Sequence, residues 1–250
     1  MSNTRRWKML ARQALWDRLG TPVLACLLVT LLNLFGGYIA GLVFPGAGIM
    51  NIVLNEVFAL GISVLLCLFT AGLYRLLLCM ARRKEYSLSD LIWYFKNQPD
   101  RILVASFFLA VIAWVTSLPS SIYSYTMPAA GTEQEYLNQM AVFLVLNLLG
   151  LLVNILVTVP FTLTYYLLCD QEDLGGVEAL KKSVVLMKGH KLQYILLQIS
   201  FLPWLLICLI TFYLALLIVV PYMEMANVMF YRDLIGDYTN TGNPGEYEYV

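Results

Sequence analysis

The stretch LQYILLQISFLPWLLICLITFYLALLIVVPYMEMANVMFY, Leu192 to Tyr231, decides the fold. Its forty residues hold a single charge, Glu224. As one helix they would run about 60 Å, whereas the hydrocarbon core of a bilayer is only about 30 Å thick. Two solutions fit. The segment crosses a membrane twice, turning near Thr211–Tyr213, or it crosses once, tilted, as far as Val220 and continues as an outer surface helix. Two crossings are preferred, because they return Arg232 to the side on which the other basic residues lie.

That side is drawn by the whole chain. The sixteen Lys and Arg residues fall into Arg5, Arg6, Lys8, Arg12 and Arg18 before the first apolar run; Arg75, Arg82, Arg83, Lys84, Lys96 and Arg101 around the end of the second; Lys181, Lys182, Lys188 and Lys191 in a third cluster; and Arg232 at the close. The intervening connections, Pro45–Asn55 and Ser124–Met140, contain none. Basic residues are retained on the cytoplasmic face, so the expected location is a bacterial cytoplasmic membrane with both termini inside. Thr21–Phe44, Val57–Met80, Ile102–Tyr123 and Ala141–Cys169 are each long enough to cross, the last with a kink at Pro160. The first run is longer than the apolar core of about 7–15 residues of a signal peptide and reads as a retained span. A chain with 60% hydrophobic and 13% charged residues departs from the roughly 25% charged of soluble domains. Neither a separate soluble domain nor a basic groove for nucleic acid is expected.

An amphipathic segment and a polar breaker precede each outward run. The first is RRWKMLARQALWDRLG, closed by Gly20 and Pro22. The second is SLSDLIWYFKNQPD, in which Ser87 and Asp90 are spaced as a capping box. The third is GGVEALKKSVVLMKGHK, with Val177, Leu180, Val184 and Met187 as an apolar stripe opposite Glu178, Lys181, Lys182 and Lys188. Such helices lie flat in the headgroup layer, although ordinary juxtamembrane loops are the simpler alternative. The expected fold class is all-α: a polytopic transmembrane bundle of about six spans in three repeats of interfacial helix plus transmembrane hairpin. One membrane domain would cover residues 1–235, with units of about 4–80, 87–169 and 176–232. Residues 236–250 would form a polar, disordered cytoplasmic tail.

Four pieces carry a resemblance: WKMLARQALWDRLG at the start, LSDLIWYFKN in the middle, ALKKSVVLMKGHKLQYILLQISFLPWLL, and VVPYMEMANVMFYRDL. The most specific features are Leu186-Met187-Lys188-Gly189 ahead of Trp204, then Pro221-Tyr222 and Phe230-Tyr231. The pattern resembles an uncharacterised family of bacterial integral membrane proteins, domain of unknown function 975. More distantly it is similar to the membrane-anchor region of bacterial glycerophosphodiesterases. The resemblance implies six spans and no assigned activity. TFYLALL stands where glycines are expected in the final turn.

Charges at membrane depth are the sharpest candidates for a site. Arg75 and Glu224 each sit about 10–12 Å inside the basic end of their spans, where ionised groups are usually paired or face a polar cavity. Pairing across the bundle, with Asn227 and Tyr231 extending the polar face, is one reading. The other is that Arg75 snorkels and Glu224 is protonated. On the fourth run Asn147, Asn154, Thr158 and Thr162 form a polar stripe toward Tyr165, suited to a substrate path and equally to helix–helix hydrogen bonding. Gly37 and Gly41 have the spacing of a packing contact. Lys181, Lys182, Lys188 and Lys191 are candidate contacts for lipid phosphates.

Enzymatic chemistry finds little support. The five cysteines, Cys26, Cys67, Cys79, Cys169 and Cys208, make no Cys-x-x-Cys pair and sit in apolar runs. His190 is the single histidine, too few for a local triad or a multi-histidine metal site, and LMKGHK is not a phosphate loop. No cofactor or metal is expected. The expected function is a non-enzymatic membrane module that organises lipids, anionic ones among them, or a membrane protein partner. A small transporter or export accessory for an amphiphile is the alternative, and would require Asn154, Thr158, Arg75 and Glu224 to converge on a cavity.

Overall fold

The computed structural model of the chain describes residues 3–16, 18–44, 49–128, 131–211 and 214–237. The expected disordered tail, from Tyr238 onward, lies outside the described residues. All regular structure among the described residues is helical. Helix α1 (Asn3–Leu15) buries Trp7, Leu10, Ala11 and Leu15, a stripe at helical spacing. Helices α2 (Gly20–Val43) and α3 (Ile49–Ala81) form the first long pair. A 3-10 turn (Leu88–Ile92) then runs into α4 (Trp93–Lys96). The expected cap on that turn is present: the Ser87 amide donates to Asp90 Oδ2 at 2.9 Å and Ser87 Oγ accepts from the Ser89 amide at 3.2 Å.

The second long pair is α5 (Pro99–Thr126) and α6 (Glu133–Thr158). Pro160 cannot donate an amide hydrogen bond, and there α6 passes through a 3-10 turn (Val159–Phe161) into α7 (Thr164–Asp170). Helix α8 (Gly176–Leu186) precedes the stretch that opened the question of fold. That stretch divides into α9 (Lys191–Ile199), α10 (Leu202–Ile210) and α11 (Leu216–Leu234). Helix α10 ends at Ile210 and α11 begins at Leu216; residues 212 and 213 of the expected turn lie outside the described residues.

Among the described residues, five stretches are long and apolar enough to cross a membrane: Gly20–Val43, Val53–Ala81, Pro99–Thr126, Glu133–Asp170 and Lys191–Cys208. Their surfaces show the same preference. Helix α6 buries no residue, and Leu148, Leu152 and Leu156 are all exposed. Apolar surface on this scale marks a membrane or partner interface. The chain is a helical protein built for multiple membrane passages.

The well-packed core lies at the basic end. Leu73, Leu76 and Leu77 of α3 meet Tyr166, Leu167 and Leu168 of α7 and Met225, Met229 and Phe230 of α11, all buried. Three amphipathic segments cover this core: α1 packs on α11, residues 88–96 on α3, and α8 on α5 and α7. Glycine permits two of these approaches. A Cβ at Gly72 would stand 2.5 Å from the Leu91 carbonyl oxygen, and one at Gly176 would stand 2.5 Å from that of Arg101.

Two expectations about helix faces are corrected. Helix α8 buries Gly176, Ala179, Leu180 and Ser183; of the expected apolar stripe Leu180 and Met187 are buried, while Val177 and Val184 are exposed. The small residues set the buried face, because they let α8 approach α5 and α7 closely. Gly37 and Gly41 have open space around them, and Gly36 is the glycine that faces Ile62 and Leu66 of α3.

Candidate functional site

The five candidate intramembrane residues occupy three separate places. Arg75 lies at the surface of the core, its Nε 3.7 Å from Asp90 Oδ1 and its guanidinium 3.9 Å from the Trp93 ring centre. The close seat of residues 88–96 on Gly72 brings Asp90 to it. Of the two readings of Arg75, pairing with Glu224 is not seen; its contacts are Asp90 and the Trp93 ring.

Glu224 and Asn227 stay together, one turn apart on α11. Asn227 Nδ2 is 3.5 Å from Glu224 Oε2, and Asn227 Oδ1 accepts from Gln198 Nε2 of α9 at 2.7 Å. Glu224 is also within electrostatic reach of the Tyr74, Tyr166 and Tyr194 hydroxyls and the Cys26 thiol. Five helices thus contribute to one polar layer around this carboxylate.

Asn154 and Thr158 belong elsewhere. Asn154 Nδ2 donates to Thr116 Oγ1 of α5 at 3.0 Å, and Thr158 Oγ1 turns back onto the Asn154 carbonyl at 2.7 Å. The nearby Gly150 brings α6 close to α5, since a Cβ there would lie 2.8 Å from the Thr116 carbonyl oxygen. These groups join two helices. Among the described residues, no hydrogen bond or ion pair connects the three places.

An ion network that sequence reading missed ties the basic ends of α3, α7 and α11 together. The Arg82 guanidinium forks onto the Asp170 carboxylate, with Nη2 3.0 Å from Oδ2. Its Nε donates to Asp237 Oδ2 at 2.8 Å. Asp170 also accepts from the Tyr231 hydroxyl at 3.0 Å, and the Tyr231 ring stacks on Tyr166 with centroids 5.3 Å apart. Arg232, fully buried, donates to Asp237 Oδ2 at 2.9 Å and to the Ala81 carbonyl at 2.6 Å. Such forked, charge-assisted contacts are the strong class of hydrogen bond. Hydrogen bonding to Asp170 raises the Arg82 pKa further above its already high ordinary value. The signal in the sequence was Asp170 itself, an acid ending an apolar run where the second and last runs end in Arg82 and Arg232.

Around this network the amphipathic segments are anchored by polar contacts. Trp7 Nε1 donates to Asp233 at 3.0 Å, and Lys8 Nζ donates to the Ser200 carbonyl at 2.7 Å, 4.1 Å from the Phe201 ring centre. Burial lowers the pKa of Lys8. Arg101 donates to the Gln171 and Leu174 carbonyls at 2.9 and 3.1 Å.

The candidate headgroup lysines lie on the outward side of this end. Lys182 donates to Gln171 Oε1 at 2.6 Å, and Lys181, Lys188 and Lys191 are exposed. On α8, Lys181 is exposed together with Val177, Val184 and Val185, and Lys188 is exposed in the turn that follows. A second feature is a cleft of about 350 Å³ between α1, α10 and α11, walled by Trp16, Trp204, Tyr222 and Ile218, with Arg12 among its lining residues. Arg12 lies 5.1 Å from the Trp16 ring centre.

Comparison with curated proteins and with solved structures finds no match, so the likeness to glycerophosphodiesterase anchors is unsupported. A family model does match, across nearly the whole chain. Residues 1–237 fit the family described as protein of unknown function (DUF975), and the chain belongs to that family.

Proposed function

We propose that the chain is a non-enzymatic, six-span protein of the bacterial cytoplasmic membrane that engages anionic lipid through its three basic interfacial segments. The observation that carries this reading is the outward side of α8 and the turn after it, where Lys181 and Lys188 alternate with exposed Val177, Val184 and Val185. Valines immersed at the acyl boundary leave lysines at phosphate depth, the arrangement of an interfacial helix on an anionic leaflet. The cleft holding Arg12 between Trp16 and Trp204 has the same character, with aromatic walls suited to the headgroup region.

The packing supports three units. Residues 88–96 rest on α3, the last helix of the first unit; α8 rests on α7, the last of the second; and α1 rests on α11, the last of the third. Each interfacial segment thus sits on the closing helix of the unit before it, and the series returns on itself. Both termini lie on the basic side in this reading. The transporter alternative has less support, because among the described residues no hydrogen bond or ion pair joins Arg75, Glu224 and Asn154.

The test is native mass spectrometry of gently extracted protein, comparing wild type with a variant in which Lys181, Lys182, Lys188 and Lys191 are all glutamine. Wild type should retain phosphatidylglycerol or cardiolipin in preference to phosphatidylethanolamine, and the variant should lose that preference while keeping its melting temperature. Equal retention of anionic and zwitterionic lipid by wild type would refute the proposal.

A further inference from the structure

At the end of the molecule remote from the basic network, α3 and α5 part to form a groove of about 430 Å³. This lies in the usual size range of small-molecule sites, about 300–1,000 Å³. Glu56, Ser63 and Cys67 of α3 line one wall, and Ser106, Ala113 and Ser117 of α5 line the other. From Glu56 to Cys67 the wall extends about 16 Å by helix rise, roughly half of a bilayer core of about 30 Å. Tyr165 of α7 forms the floor, its hydroxyl 3.0 Å from Ser106 Oγ.

The mouth is acidic and aromatic. Trp114 Nε1 donates to Glu56 Oε2 at 3.1 Å, and the Tyr125 hydroxyl is 3.5 Å from Glu56 Oε1. Both rings are exposed. Among the described residues no Lys, Arg or His forms an ion pair with Glu56. The sequence makes this imbalance general. The flanking connections, residues 45–55 and 124–140, have no Lys or Arg, while the second supplies Glu133 and Glu135. A carboxylate beside two aromatic rings, with no competing cation nearby, is the chemistry that recognises an organic ammonium or phosphonium group. The serine hydroxyls and small alanines behind it leave room for an uncharged body.

We propose that this groove binds an organic cation, its charged head at Glu56 beside Trp114 and Tyr125 and its body extending toward Ser106 and Tyr165. The site is at the opposite end from the lipid-binding lysines and stands independently of their role. The chain gives Glu56 two neutral donors, Trp114 and Tyr125, and the ligand supplies the positive charge.

Equilibrium dialysis of radiolabelled tetraphenylphosphonium against the full chain in phosphatidylcholine nanodiscs tests the assignment, with empty discs correcting for partition into lipid. Saturable binding of one cation per chain is expected. Glu56→Gln should weaken it at least tenfold, and neutral triphenylphosphine oxide should fail to compete. Ala113→Leu fills the groove without touching the carboxylate and should also abolish saturable binding, so the proposal stays testable if Glu56→Gln fails to fold. Binding to wild type no greater than to empty discs would overturn the site. So would folded Glu56→Gln or Ala113→Leu protein that binds as wild type does.

Discussion

Replacing Gly72 with alanine places a methyl group where residues 88–96 rest on α3. The new Cβ would lie 2.5 Å from the Leu91 carbonyl oxygen and 2.6 Å from both the Asp90 carbonyl oxygen and Leu91 Cα. All three are backbone atoms, so no rotamer change relieves the clash. Carbon contacts settle near 3.5–4.0 Å, and the segment must therefore retreat by about 1 Å. Overpacking of this kind costs about 1–3 kcal/mol, against which alanine's better helix propensity returns at most about 1 kcal/mol. The net loss is then up to about 2 kcal/mol, a fall in Tm of up to about 8 °C for a chain of this size. The retreat also draws Asp90 and Trp93 away from Arg75. Thermal unfolding in detergent, followed by tryptophan fluorescence, measures the effect. Gly61→Ala on the same helix is the control, because nothing lies within 4 Å of a Cβ there. If Gly72→Ala melts at or above the temperature of Gly61→Ala, the close seating of this segment is wrong.

Three further substitutions separate the polar sites. Asp170→Asn removes the charge opposite Arg82, and with both side chains mostly buried it should destabilise by about 3 kcal/mol, the lower part of the range for a broken buried pair; a melting temperature unchanged from wild type would show that the network does not hold the helix ends. Asn227→Leu strands the Gln198 amide that donates to it and should cost about 1–3 kcal/mol, read as a lower midpoint in the same assay. Asn154→Leu breaks the contact with Thr116 and should cost about 0.6–2 kcal/mol while leaving retained lipid unchanged. A double-mutant cycle with Thr116→Val checks that the loss belongs to that hydrogen bond.

The helical class and the span positions were legible because both rest on one-dimensional signals. Runs of apolar residues gave α2, α3, α5 and α6 to within a few residues at most ends, except that α3 begins eight residues before the apolar run and α6 likewise starts at Glu133. The Ser87–Asp90 cap was readable from its spacing, and Pro160 from its missing amide. Helix faces were harder. In a membrane, apolar side chains are stable both inside the bundle and against lipid, so the valines of α8 gave no reliable guide to its buried side; Gly176, Ala179 and Ser183 carried that information through their size. The Arg75–Asp90 contact was in neither reading of Arg75, for a related reason. Depth along α3 was inferred from helix rise, but its partner is fixed by a local seat at Gly72 that only the backbone path reveals. Asp170 was passed over because a single acid at the end of an apolar run has no distinctive spacing, and its significance appears only when α3, α7 and α11 come together.

The central claim is that a six-span bundle gathers its three basic interfacial segments on one side of the membrane, and cysteine accessibility in intact cells tests it most directly. In a background with Cys26, Cys67, Cys79, Cys169 and Cys208 replaced by alanine, single cysteines would be placed at Gln134, Lys188 and Leu214 and appended after Val250. A membrane-impermeant maleimide should label the Gln134 and Leu214 positions in intact cells, and the Lys188 and C-terminal positions only after permeabilisation. Protection of the Leu214 position, together with external labelling of the C-terminal cysteine, would mean a single crossing after α8 and would contradict the account.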